Sequence, residues 1–166
     1  MKNGFTIIEL VMVLLLAAIL AAVAVPNFID FRADAKNGAT HEALGVLRSA
    51  LMIATATIQL KEDPTNPTPK FPTLAEMQSN AFDDSHPALR GTPILDAKTG
   101  IPRNPWSPKT VSPEEAAKIF DCGARPQILK TPEAQGRGWC YSETTGEIWA
   151  NSNLNQAGPD KTENTY

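Results

Sequence analysis

Residues 4–26 read GFTIIELVMVLLLAAILAAVAVP, and the pattern of this stretch constrains the rest of the chain. From Leu10 to Val25 no polar side chain interrupts it, and between Ile7 and Val25 the one charged residue is Glu9. Leu, Met and Ala favour helix. Counted from Phe5, a helix would extend roughly 30 Å at 1.5 Å per residue, enough to cross the hydrocarbon core of a bilayer. Pro26 stands where the pattern turns polar.

Working outward, FIDFRADAKNGATHEALGVLRSALMIATATIQL keeps a helical period. Leu44, Leu47, Leu51 and Ile58 recur on one face, while Lys36, Glu42 and Arg48 fall mostly elsewhere. The reading is one long helix over residues 5–60, with a transmembrane or assembly segment at 5–25 and an amphipathic second half. Such a helix far exceeds the globular mean of about 11–12 residues, and its first half has no surface of its own chain to bury against. It needs a membrane or identical neighbours. Pro26 removes an internal hydrogen bond and Gly38 and Gly45 weaken the second half, so bends are expected there.

The rest of the chain is a different material. Of the 14 prolines, 13 follow Lys61. The length of 166 residues fits one domain, or one domain with an appendage, and 15 Lys and Arg against 18 Asp and Glu give a formal charge of −3. The basic residues are scattered singly, with no aromatic and basic interleaving, so no obligatory nucleic acid is expected.

Three readings compete for the apolar segment. A secretory signal peptide would use Lys2 as its basic start and Ala22-Val23-Ala24 as its cut site. A plain membrane anchor also fits the length. Glu9 argues against both, because a carboxylate in an apolar helix costs about 2.5–3.5 kcal/mol at the bilayer centre and less near its edge. Either something compensates for that charge or Glu9 stays solvated at the membrane edge.

Gly4-Phe5-Thr6-Ile7-Ile8-Glu9-Leu10, the apolar stretch and Pro26 together resemble the amino terminus of the type IV pilin superfamily, over roughly residues 1–60. That superfamily includes type IV pilus subunits and the pseudopilins of type II secretion. The resemblance implies that residues 1–4 are a leader, that a prepilin peptidase cuts after Gly4, and that the new amino group of Phe5 is methylated. It implies that Glu9 neutralises the amino terminus of an adjacent subunit as a homo-oligomeric helical filament forms, and that Pro26 belongs to the assembly helix. The physics agrees: opposite charges within reach attract strongly in a low-dielectric core, where either alone is costly. A cytoplasmic ATPase and an inner-membrane platform protein are implied as further partners. The chain would lie in the inner membrane, its head in the periplasm, before moving into a cell-surface pilus or a periplasmic pseudopilus. The short leader with Lys2 suits that orientation.

In the polar region, residues 61–166, KEDPTNPTPKFPT reads as a stiff loop. Thr73-Leu74-Ala75-Glu76 is a capping box opening a short helix, and Ser112-Pro113-Glu114-Glu115 opens another before AAKIF. Trp106, among prolines, reads as a packed loop anchor. Residues 138–151, GWCYSETTGEIWAN, are the best hairpin signal, with Gly146 supplying a positive backbone dihedral. One face of that hairpin should cover the second half of the long helix. The expected fold is α+β: a long amino-terminal helix packed against a small antiparallel β-sheet, as in pilins.

The two cysteines, Cys122 and Cys140, are expected to pair if this region is exported, closing a loop worth about 3 kcal/mol by chain entropy. Zinc is the rival reading, but His41 and His86 give no ligand spacing with them. Several pseudopilins bind calcium through acidic groups in a carboxy-terminal loop. Here the tail NSNLNQAGPDKTENTY offers only Asp160 and Glu163. His41, or His86 with Asp83 and Asp84, sits in no catalytic motif, so the histidines and acids read as solvated surface groups and no enzyme or cofactor is expected. The function implied is a structural subunit of a type IV pilus-like filament serving adhesion, motility or DNA uptake. The alternative is a type II secretion pseudopilin, and the cysteine pair and scant acidic tail favour the pilus.

Overall fold

A computed structural model describes residues 6–96, 98, 100–125, 127–128 and 136–152; at 25–30 and 33 it describes the backbone alone. The first helix, α1, spans Ile7–Glu62, 56 residues, and continues through Pro26, Gly38 and Gly45. The chain divides into two compact units, Met1–Ala35 and Lys36–Tyr166. In the first, none of Ile7–Ala24 is buried.

The second unit has a core of its own. Ala43, Leu44, Leu47, Leu51, Ala54 and Ile58 recur at intervals of three and four, so they share one face of α1, and all are buried. Against them pack Met77, Phe82, Leu89, Ile119, Trp139, Tyr141 and Ile148. Each fully buried Leu or Ile contributes about 1.5–3 kcal/mol relative to exposure.

Two short helices carry the caps that their sequences announce. In α2, Leu74–Ser79, the Thr73 side chain accepts from the Glu76 N–H while the Glu76 carboxylate accepts from the Thr73 N–H, and Asn80 closes the helix in the left-handed region at φ 55°. In α3, Pro113–Ala116, Ser112 accepts from the Glu115 N–H. This helix is four residues long and stops before Lys118. Ile119 and Phe120, β-branched and aromatic, then enter a strand, a preference that outweighs one more helical turn.

That strand, β1 (Ile119–Asp121), joins the hairpin strands β2 (Trp139–Ser142) and β3 (Glu147–Ala150) in the order β1-β2-β3. The expected antiparallel sheet is therefore corrected to a mixed one. β2 and β3 are antiparallel, pairing Tyr141 with Ile148, but β1 runs parallel to β2, pairing Phe120 with Cys140. The Trp139 N–H donates to the Lys118 carbonyl at 2.8 Å beside this ladder.

Period two divides the sheet's side chains. Ile119, Trp139, Tyr141, Ile148 and Ala150 face the core shared with α1, while Phe120, Cys140 and Trp149 form a second cluster with Cys122. Buried aromatic tips fasten the loops: Tyr141 Oη donates to the Pro72 carbonyl at 2.7 Å, Trp139 Nε1 to that of Pro102 at 2.6 Å, and Trp149 Nε1 to that of Gln127 at 2.7 Å. Trp106 is buried in the loop as expected, with the Lys36 ammonium 4.7 Å from its ring centroid. Cys122 and Cys140 form a disulfide, Cα to Cα 5.4 Å, tying the end of β1 to β2.

Candidate assembly surface

The large apolar residues of Ile7–Val23 are exposed on every side of the helix, from 48% at Val11 to 84% at Ile7. Exposure on one face would mark a docking stripe. Exposure all round is the pattern of a helix suited to lipid or to other apolar helices. Its length and composition suffice to cross a membrane.

Glu9 has a partner within its own helix. The Thr6 N–H and hydroxyl donate to Glu9 Oε2 at 2.9 and 2.8 Å, and the Glu9 N–H donates back to Thr6 Oγ1 at 3.3 Å. Thr6-Ile7-Ile8-Glu9 is thus a capping box that satisfies amide donors left open at a helix start. The reading of Glu9 as an assembly residue alone missed this, although the Thr-x-x-Glu spacing was a usable signal. The carboxylate has two helix-start donors besides any charge partner. Gly4 and Phe5 lie outside the described residues, as does the acidic tail with Asp160 and Glu163. Pro26 is helical in backbone, and its side chain is not described.

Among the described residues the catalytic and metal candidates do not converge. His41 is an exposed position of α1, while His86 is buried. The expectation that the histidines and acids are solvated is corrected at two positions, because Glu76 has no exposed surface and His86 only 6%. His86 Nδ1 lies 2.9 Å from both Glu76 oxygens, which also accept from the Thr73 and Asp83 N–H groups. With its carboxylate covered by the fold, this pair braces the loop after α2. Among the described residues no three His, Cys, Asp or Glu side chains gather as a metal site.

No protein-family model and no solved structure matches the chain. Over 63 residues it is 42% identical to the type IV narrow pilus major component PilA5 of Thermus thermophilus, which covers 38% of this chain and 53% of that protein. The chain thus spans about half the length of this curated relative.

Proposed function

From the premise that this chain is a homologue of a type IV pilin, with the long apolar helix and small sheet of that superfamily, we propose that it is a structural subunit of a type IV pilus-like filament. The observation that carries this reading is the helix exposed on all sides with one capped carboxylate near its start. Before assembly the helix rests in the inner membrane. A prepilin peptidase cuts after Gly4, Phe5 is methylated, and apolar helices of many copies pack together as the filament core. Moving from lipid to that core exchanges one apolar surrounding for another, so close packing and the Glu9 charge supply the specificity. Glu9 pairs with the amino terminus of a neighbouring copy while Thr6 holds the carboxylate in place.

Electron microscopy of sheared surface fractions, with and without the gene, tests the reading when the filament protein is identified by mass. Filaments that vanish with the gene and contain a chain starting at methylated Phe5 support it. Processed protein retained in the envelope without filaments moves the reading to a secretion pseudopilin, and a chain starting at Val25 moves it to a cleaved signal peptide. Two variants separate the functions of Glu9. Gln serves as well as Glu in a capping box, so Glu9→Gln keeps the cap and loses the charge, whereas Thr6→Ala loses the cap and keeps the charge. Filament yield falling at least tenfold in Glu9→Gln, with membrane insertion unchanged and Thr6→Ala much less affected, is the expected result. Normal yield from Glu9→Gln removes the charge pair.

A further inference from the structure

We draw no further inference here: the strongest candidate, the apolar stripe on the second half of α1 where Val46, Ile53 and Leu60 stand exposed at intervals of seven residues, carries nothing because nothing in the structure shows what covers it.

Discussion

Tyr141 has no exposed surface, and its hydroxyl donates to the Pro72 carbonyl across 69 positions of sequence. Burial, then the nearby charges of Glu143 and Glu76, push the phenol's pKa well above its usual value near 10. A group whose folded pKa is raised contributes stability that is whole below the unfolded pKa. Above about pH 10 the unfolded chain releases the proton and the folded one does not, so stability falls by up to about 1.4 kcal/mol per pH unit from this residue. Tyr141→Phe should cost about 1–2 kcal/mol at pH 7, through the lost hydrogen bond. It should lack this part of the alkaline slope, so its deficit narrows between pH 10 and 11.5. Denaturant unfolding followed by tryptophan emission checks this, and parallel stability curves for the two proteins would refute it. The buried Glu76–His86 pair belongs to the same scale but was not legible in the sequence. Thr73 and Glu76 announce a cap by spacing, yet nothing local says that His86, ten residues on, folds back to cover the same carboxylate.

At the level of elements, short-range chemistry was readable and strand order was not. The caps of α2 and α3, the helical face through Leu44, Leu47, Leu51 and Ile58, and the hairpin around Gly146 each depend on residues within about one or two turns of one another. β1 depends on Ile119 meeting Trp139, a parallel pairing set by the whole connection between them, and its three residues give too little period to be seen alone. The hairpin turn also makes a contact that no local pattern reveals. Gly146 has φ +66°, as a short hairpin loop requires, and a Cβ placed on it would overlap the Phe71 ring of the proline-rich loop. Gly146→Ala should therefore destabilise the second unit by about 2–3 kcal/mol, combining backbone strain with displacement of the ring. In Gly146→Ala/Phe71→Ala the ring is gone, and the combined loss should be smaller than the sum of the single losses by at least about 0.5 kcal/mol. Additive losses in chemical denaturation would show that the ring and turn do not compete for the same space.

For the whole molecule, α1 serves two chemistries in one continuous helix. Residues 7–24 keep their apolar side chains exposed, whereas positions 43–58 put one face into the core of the second unit. A boundary at residue 61, natural from the onset of the prolines, would strip Leu44, Leu47, Leu51 and Ile58 from that core. At about 1.5–3 kcal/mol each, those four side chains match the entire 5–15 kcal/mol stability of an ordinary domain. A chain starting at Lys36 retains them and loses the segment that needs lipid or neighbouring copies. It should be soluble without detergent, form the Cys122–Cys140 bond, and unfold in one cooperative transition by circular dichroism and tryptophan emission. A chain starting at Lys61 should show neither native emission nor a cooperative transition. If the Lys61 chain folds as well as the Lys36 chain, the second half of α1 is an attachment to the sheet rather than part of its core. If neither folds, residues before Lys36 contribute to the second unit's stability.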